Sequence, residues 1–490
     1  MLRNDAIFQL IQQLSPEEKK YYKRQLKPNA DYTLLFDRMT VMEVYDEVLL
    51  KKEFSEKKFI TQLDVKKHYL YKQLLTVLRR FHESDFDWEN RLQEAEILMR
   101  RKLYDQSIEI LKKEYTVAER SENFMGLLRI LSMQEQMAGQ VQVFNRQKIT
   151  LEKLSVLKRY EVLQDFIHAQ EVLLEWSAEY SYFRNAAHQA RWKKIVSALK
   201  LPEKQVSSLQ VKLIFDYIHY LYFASSGEWV KAHGYAQQMY RAVMDHQEAT
   251  QSFSGYFLNA CSAYLGTIAV CFGETSEFRR VLKFLKSKIH ELDSAHFKVL
   301  AQTRIYQFEL IVLRRSGDHH KVEKFLPEVV AFVEENGEEL EFFKLKFIRF
   351  EIAKTYYQLQ QRRLATKWFL QSVNPGQHGF SKDIFSFSRI LYLINEIESG
   401  QTEHIKQSVQ QLRAQLKKSG IYGEFETMLL RFISRDYVRY GDLSSADRIK
   451  MFQGFQRELH RFYKSSFGKN FRLYFDFLNW VEEKIQHIER

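Results

Sequence analysis

The sequence contains little proline and little glycine. There are five prolines and 17 glycines among 490 residues, and the first glycine is Gly126. Because tight turns and phosphate-binding loops depend on glycine, the region before Gly126 has room for few of either. Runs in which Val, Ile and Thr alternate between turn residues, as they do in strands, do not stand out either. The composition predicts an all-α protein whose helices are joined by short polar connections.

Cysteine is almost absent as well. Cys261 and Cys271 are the two cysteines, and on one helix their spacing corresponds to about 15 Å, which is too far for a disulfide. We interpret them as buried apolar residues in a reducing compartment. The N-terminal residues lead directly into an amphipathic pattern without a continuous apolar core, so we expect no secretory signal and a cytoplasmic location.

Motifs that carry catalytic or metal chemistry are missing. Gly468-Lys469 lacks the glycine five residues earlier that a phosphate-binding loop needs, and the cysteines form no Cys-x-x-Cys pair. The pair His319-His320 follows an expected turn without further converging ligands, which favours surface histidines over a metal site. We therefore expect a protein that is not an enzyme and that has no cofactor or metal.

One stretch near the middle of the chain lacks charge altogether. It covers residues 249–273, which is 25 residues. A membrane span would need about 20 predominantly apolar residues, whereas Gln251, Ser252 and Asn259 interrupt this stretch. A membrane-associated protein is thus the weaker hypothesis. We interpret the stretch as a buried helix and expect it to be the most buried helix of the protein.

The first part of the chain has clear helix signals. Ser15-Pro16-Glu17-Glu18 combines a serine cap, a proline at the first helical position and a glutamate three residues after the cap. Pro28 ends that helix, and Asp31 can cap the next one. The region therefore predicts an N-terminal helical module over residues 1–86.

Turn residues recur at nearly constant spacing in the rest of the chain. They are expected at Gly227, Gly273, Gly317, Gln360, Gly400 and Gly441, with separations of 46, 44, 43, 40 and 41 residues. An earlier turn is expected at Gly139. Small residues flank these turns, as Gly266 and Ala269 do before Gly273 and Ala446 does after Gly441. Evenly spaced turns between small residues indicate repeated helix pairs.

This pattern resembles the tetratricopeptide repeat, whose paired helices meet at small residues. The resemblance is at superfamily level, since the spacing here exceeds the 34 residues of the standard repeat. It implies an all-α, right-handed α-solenoid of about eight helix-turn-helix repeats. The expected parts are the N-terminal module at 1–86, the repeat array at 87–455 and C-terminal capping helices at 456–490.

The resemblance also implies a candidate binding surface. In such folds the first helices of the repeats line a concave groove that holds peptides. Projected onto a clear late repeat, this groove contains Phe347, Phe350, Lys354 and Tyr357. In the alternative interpretation, the same phenylalanines pack against the next repeat. The leading hypothesis is a non-catalytic scaffold or adaptor that binds a protein or peptide partner.

Nucleic-acid binding is the second functional hypothesis. Positive and negative residues are mixed along the chain, with a formal net charge of +12, whereas a nucleic-acid binder more often concentrates its excess in one block. A regulator could still use the basic residues from Lys66 to Arg80, although the tight turn of a helix-turn-helix motif is missing there.

The C-terminal run also interleaves basic residues with aromatics, as single-strand binding would need. These basic residues are Arg457, Arg461, Lys464, Lys469 and Arg472. The helical spacing of the aromatics instead favours a terminal cap.

Overall fold

The computed structural model describes residues 5–25, 30–81, 87–142, 144–200, 208–246, 253–292, 294–337, 340, 342–372, 381–465 and 467–490. Every regular element in these ranges is a helix, which confirms the all-α prediction. The chain divides into two compact units. Unit 1 comprises Met1–Thr116 and Ser132–Arg146, and unit 2 comprises Val117–Leu131 and Gln147–Arg490.

Unit 1 begins with short helices around a common apolar core. They are α1 (Ala6–Gln13), α2 (Pro16–Gln25), α3 (Asp31–Val41), α4 (Glu47–Glu53), a 3-10 helix (Lys58–Gln62) and α5 (Leu63–Phe81). Fully buried side chains such as Ile11, Phe36 and Leu74 form the core. The amide of Ser15 donates to Glu18 at 2.7 Å and the amide of Glu18 donates to Ser15 Oγ at 3.2 Å, so the predicted capping box is confirmed.

One detail of this region differs from the sequence interpretation, and one prediction falls on residues that the structure does not describe. Asp31 is the first residue of α3, and Ala30 occupies the cap position. The predicted helix end at Pro28 lies outside the described residues.

Unit 1 continues with α6 (Asp87–Arg100), and α7 (Tyr104–Arg120) and α8 (Phe124–Met137) contribute to both units. Lys102 adopts the left-handed conformation, with φ of 62°, where α6 turns into α7. The hydroxyl of Ser107 donates to the carbonyl of Ala95 at 2.8 Å, and both residues are fully buried. Small side chains therefore let these two helices approach closely.

Unit 2 contains a long helix followed by a series of helix pairs. The long helix α9 (Arg146–Glu179) precedes α10 (Ala186–Ala198). The later helices are α11 (Leu209–Ser226), α12 (Trp229–Asp245), α13 (Ser254–Cys271), α14 (Ser276–Lys288), α15 (Ala295–Ser316), α16 (His319–Asn336), α17 (Phe342–Gln358), α18 (Arg362–Gln371), α19 (Lys382–Glu398), α20 (Ile405–Lys418), α21 (Glu424–Arg435), α22 (Ser445–Tyr463) and α23 (Phe477–Glu489). Short 3-10 helices lie at Ile289–Glu291, Tyr437–Asp442 and Gly468–Leu473. Consecutive helices pack on one another, as α11 does on α12 and α12 on α13.

Residues in the left-handed conformation separate the helices of successive pairs. The values of φ are 73° at Gly227, 72° at Gly273, 73° at Gly317, 60° at Gln360 and 81° at Gly400. This conformation ends a helix and reverses the chain, and glycine adopts it without a Cβ clash. Five of the six evenly spaced turn predictions are thereby confirmed.

The predicted turn at Gly441 also lies between two helices, but its backbone differs from that of the other five turns. Gly441 lies in the 3-10 helix Tyr437–Asp442, and its φ is not positive. A tightened helical stretch, rather than a left-handed residue, connects α21 to α22. Gly139 does lie in a turn, directly after α8.

The uncharged stretch forms helix α13, which packs against α11, α12, α14 and α15. A Cβ at Gly266 would lie 3.2 Å from the ring of Phe308, so the helix approaches α15 closely at this glycine. Across the described helices, none pairs enough length with enough apolar character for a membrane crossing.

The expectation that this helix is the most buried one is wrong. In α13, 11 of 18 residues are buried, whereas 12 of 17 are buried in α19. Helix α19 packs among α17, α18, α20 and α21, and it buries polar residues such as Asp383 and Ser386 that hydropathy assigns to the surface.

Ion pairs between distant parts of the sequence also hold unit 2 together. Arg184, between α9 and α10, donates from Nε to Asp383 of α19 at 2.8 Å and from Nη1 to Glu426 of α21 at 2.9 Å. In an open helical-repeat array, each repeat contacts only its neighbours. Arg184 instead bonds to residues that follow it in the sequence by 199 and 242 positions.

Candidate functional site

A short segment between α22 and α23 runs through the interior of unit 2. We call residues 467–476 the strap, and they include the 3-10 helix Gly468–Leu473. A Cβ added at Gly468 would lie 2.0 Å from the carbonyl oxygen of Phe462. Glycine is therefore needed where the chain leaves α22 and enters the strap.

Two polar side chains fix the strap to the early helices of unit 2. The amide of Asn470 donates from Nδ2 to the carbonyl of Ser225, near the end of α11, at 3.1 Å. The hydroxyl of Tyr474 donates to Ser181 Oγ, just after α9. Asn470 and Tyr474 are only 2% and 6% exposed, so these hydrogen bonds satisfy polar groups that water does not reach.

Aromatic contacts fix the other side of the strap to the late helices. The ring centroid of Phe471 lies 4.6 Å from that of Phe425 in α21. The ring of Tyr474 stacks on Phe387 of α19 with centroids 4.6 Å apart. The guanidinium of Arg184 lies 5.3 Å from the Phe471 ring centroid, within cation–π distance. The strap thus lies between two walls that come from distant parts of the sequence.

Three of the four predicted partner-binding residues contact the strap or the helix after it. Lys354 Nζ donates to the carbonyl of Tyr474 at 2.9 Å. The Tyr357 hydroxyl accepts from Trp480 Nε1 at 3.0 Å. The Phe350 ring lies 6.1 Å from that of Tyr474.

The two phenylalanines of the predicted binding surface, Phe347 and Phe350, pack against other side chains of unit 2. Phe350 is fully buried, which corresponds to the packing alternative for this residue. Phe347 is half-buried and packs against the large core of unit 2.

A cavity of about 1190 Å³ lies beside the strap. One wall is a face of α23, with Asp476, Asn479, Trp480, Glu483, Lys484 and His487 at helical spacing. From Asp476 to His487 this face extends about 16 Å, at 1.5 Å per residue. An extended peptide of about five residues has the same length.

Another part of the lining is built from the C-terminal ends of helices. Gly227, Gly317, Gln360 and Glu398 line it, and they end α11, α15, α17 and α19. Helix C-termini carry partial negative charge, which cations neutralise. Arg315 illustrates this, because its Nη1 donates to the carbonyl of Ala269 near the end of α13 at 2.8 Å.

A buried charge cluster lies at the floor of this cavity. Glu351 accepts from Lys354 Nζ at 2.7 Å and from Arg314 Nη2 at 3.0 Å. Burial lowers the pKa of Lys354 to about 7, although Glu351 opposes this shift. Burial acts to raise the pKa of Glu351, but Lys354 and Arg314 hold that pKa below its ordinary value. The cluster therefore contains a base that titrates near neutral pH next to an ionised carboxylate.

Glu398 forms a second cluster, which joins three helices. Its carboxylate accepts from the Tyr357 and Tyr437 hydroxyls at 2.9 Å each and pairs with Lys484 Nζ at 2.9 Å. Burial acts to raise the pKa of Glu398, but Lys484 and Arg362 lower it. Glu398 is thus an ionised anchor that holds α23 against α17 and α19.

The basic residues considered for nucleic-acid contact have mixed roles. In unit 1, Lys67 is 5% exposed and bonds to Glu47 at 2.8 Å, so it is a structural residue. Lys72, Arg79 and Arg80 of the same helix are exposed.

The aromatic residues of α22 beside Arg457 and Arg461 are buried. Arg457 and Arg461 are exposed on α22, but the neighbouring Phe452, Phe455 and Phe462 are buried in the core. These rings therefore cannot stack on bases, and the terminal packing interpretation fits them better.

The described part of the chain contains no cluster of metal ligands. There, no group of three His, Cys, Asp or Glu side chains is placed to hold an ion. His319 and His320 are exposed at the start of α16.

Sequence reasoning missed the strap. Its signal was a glycine, Gly468, inside an aromatic-rich run that otherwise reads as continuous helix. The partners Ser181, Ser225 and Asp383 carry no local motif, so only the folded chain brings them together.

Comparisons with known proteins assign neither a family nor a function to this chain. No protein-family model matches this chain, and no curated protein matches it.

Proposed function

We propose that this protein is a non-catalytic adaptor whose unit 2 binds an extended peptide segment of a partner protein. The observation that carries the proposal is the setting of Lys354 and Tyr357. Both side chains line the cavity, and both bond to the C-terminal part of the protein's own chain. This surface already holds a chain segment by its backbone and by aromatic anchors, which is how grooves bind peptides.

We further propose that the helix pairs of unit 2 form a tetratricopeptide-like solenoid. The left-handed turns at Gly227, Gly273, Gly317, Gln360 and Gly400 support this arrangement. So does the close approach of α13 to α15 at Gly266. The Arg184 ion pairs and the strap would then close the solenoid on itself, leaving the cavity as its open binding surface.

A cytoplasmic location is part of the same proposal. Cys261 is buried and Cys271 is partly buried, and both are free thiols. Free thiols of this kind fit a reducing compartment.

Peptide selection on the full-length protein tests the proposed function. Peptides would be selected from a random display library, and the Kd of the best binders would be measured by fluorescence anisotropy. The informative variant is Glu483→Lys, because Glu483 is exposed and lines the cavity. We expect it to change Kd by about tenfold or more, since a contact charge is reversed.

The matched control is Glu482→Lys, which makes the same charge change one residue away, outside the cavity lining. This control should leave Kd within about twofold, because Glu482 does not line the cavity and would make no direct contact with a bound peptide. Failure to select any peptide, or equal effects of the two variants, would count against the proposal.

A further inference from the structure

The strap is held in the way that a bound peptide is held. Its contacts are two aromatic anchors, one amide anchor and a hydrogen bond to its backbone. Phe471 and Tyr474 insert between rings of the late helices, and Asn470 bonds to a backbone carbonyl of α11. Lys354 donates to the strap carbonyl of Tyr474. A few buried anchors separated by exposed residues such as Arg472 are typical of peptide recognition.

The two walls of this groove are joined to each other without the strap. Arg184 bonds to Asp383 and Glu426, and the amide of Ser181 donates to Asp383 at 2.8 Å. Lys382 Nζ pairs with Glu179 at 2.7 Å. Because these contacts bypass residues 467–476, the groove can keep its shape when the strap leaves it.

The cavity is the place where a segment of a partner protein would first contact the strap. Arg472, Phe475 and Asp476 of the strap line this cavity. Arg472 pairs with Asp476 at 2.7 Å, an exposed contact inside the strap itself. Exposed ion pairs contribute little stability. A ligand in the cavity therefore contacts this exposed ion pair as well as the anchors Asn470 and Tyr474, which line the same cavity.

We propose that the strap is an intramolecular occupant of a peptide-binding groove, and that a partner segment with the same anchor pattern competes with it. The pattern is an amide side chain, an aromatic side chain directly after it and a second aromatic three residues later, as in Asn470, Phe471 and Tyr474. This proposal rests on the proposed peptide-binding function. It adds the sequence class of the partner and an autoinhibitory contact.

Cleavage between α22 and the strap tests whether the strap is exchangeable. A protease recognition sequence would be inserted between Lys464 and Ser465, which are both exposed. After cleavage of the full chain, a fluorescent synthetic copy of residues 465–490 would be added and its anisotropy followed. We expect the nicked protein to keep its thermal transition and the labelled fragment to replace the original within hours.

Variant fragments identify the anchors. A fragment with Phe471→Ala and Tyr474→Ala should bind at least a hundredfold more weakly, whereas the Arg472→Ala fragment should bind within threefold of the natural one. Unfolding on cleavage would overturn the proposal. So would a fragment that fails to exchange over days, or equal affinity of the two variant fragments.

A second measurement uses the intact chain. With Phe471→Ala and Tyr474→Ala in the strap, peptides that carry the anchor pattern should bind at least tenfold more tightly than they bind the natural protein. If library-selected peptides bind both proteins equally, the strap proposal fails and the adaptor function stands. If no peptide binds either protein, both proposals fail.

Discussion

Helices α13 and α19 of unit 2 are both largely buried, but they bury different residues. Helix α13 contains no charged residue, and its buried Thr267 bonds within the helix to the carbonyl of Tyr264 at 3.0 Å. Helix α19 buries Asp383, which accepts from Arg184, and Asn395, whose Nδ2 donates to the carbonyl of Arg362 at 3.1 Å. Helix α13 is held by apolar contact and by bonds to adjacent helices, such as Thr267 to His233 at 3.1 Å, whereas α19 also buries a charged residue bonded to a partner 199 positions away.

This difference indicates what each region does. Apolar burial stabilises without direction, so the core around α13 keeps helix pairs together. A buried charge costs free energy unless its partner is in place. The charges around α19 therefore fix the walls of the groove, and the strap and the cavity are found in that region. The regions around α13 and α19 should therefore respond differently to substitution.

The largest expected effect is the loss of Arg184. Arg184→Ala leaves Asp383 and Glu426 buried without their cation, and we expect the free energy of unfolding to fall by about 3–5 kcal/mol. Urea denaturation measures this loss, with Arg363→Ala on exposed α18 surface as the control. The triple variant Arg184→Met, Asp383→Asn and Glu426→Gln should lose less. A single-variant loss below about 1 kcal/mol would contradict the role assigned to the ion pairs.

A substitution in the apolar region should lower the free energy of unfolding by somewhat less. The loss there comes from a cavity left in the core rather than from an unpaired charge. Leu265 of α13 is fully buried, so Leu265→Ala should reduce the free energy of unfolding by about 3 kcal/mol. Val230→Ala is the control because Val230 is 84% exposed, and it should change stability by less than about 0.5 kcal/mol. Urea denaturation measures both losses, and neither should depend strongly on salt, because the ion pairs of Arg184 are buried and therefore little screened.

A pH effect is expected at the charge cluster around Lys354. Because burial lowers the pKa of Lys354 to about 7 from 10.5, the unfolded chain binds this proton more tightly than the folded chain between those two pH values. Stability should therefore rise with pH through that window, by at most about 1.4 kcal/mol per pH unit from this group, and should be unaffected by this group at lower pH. Lys354→Met should remove this contribution, whereas the contribution of Lys346, whose pKa burial lowers to about 8, should remain.

Unfolding of both proteins at about pH 6 and about pH 9 measures this effect. Glu351 is ionised at both values because its pKa is lowered, so it does not contribute. A constant difference between the natural protein and Lys354→Met would show that Lys354 keeps one protonation state throughout.

The smallest expected effects are at the turns between helix pairs. Gly317 has φ of 73° and open space around its Cβ position, so Gly317→Ala should cost about 1–2 kcal/mol through backbone strain alone. Gly234 lies inside α12 with nothing within 4 Å of that position, and Gly234→Ala should stabilise by about 0.5–1 kcal/mol. Thermal denaturation should give shifts of opposite sign, and shifts of the same sign would refute the turn assignment.

The sequence was most informative where a backbone constraint selects a residue type. Glycine at 227, 273, 317 and 400 marks left-handed turns because other residues are strained there, and regular spacing alone located Gln360. At Gly441 a 3-10 helix makes the connection instead. The partner-binding role inferred for Lys354 and Tyr357 from the resemblance stays a prediction, and both side chains are buried against the protein's own C-terminal region.

The rest depended on contacts that no local pattern encodes. Hydropathy ranked α13 as the most buried helix because it treats Asp383 and Ser386 of α19 as surface residues. These residues are buried with partners on distant elements: Arg184 for Asp383, and Glu426, at 2.9 Å, for Ser386. The strap could not be predicted from the sequence for the same reason, since its anchors are aromatic residues that also fit a helical core.

Native-state hydrogen exchange of the full-length protein tests most directly whether the strap is an occupant rather than part of the core. We predict that the amides of residues 468–476 exchange through an opening whose free energy is at least about 2 kcal/mol below that of the α13 amides. Exchange of both segments through a single global opening, with equal free energies, would contradict the account.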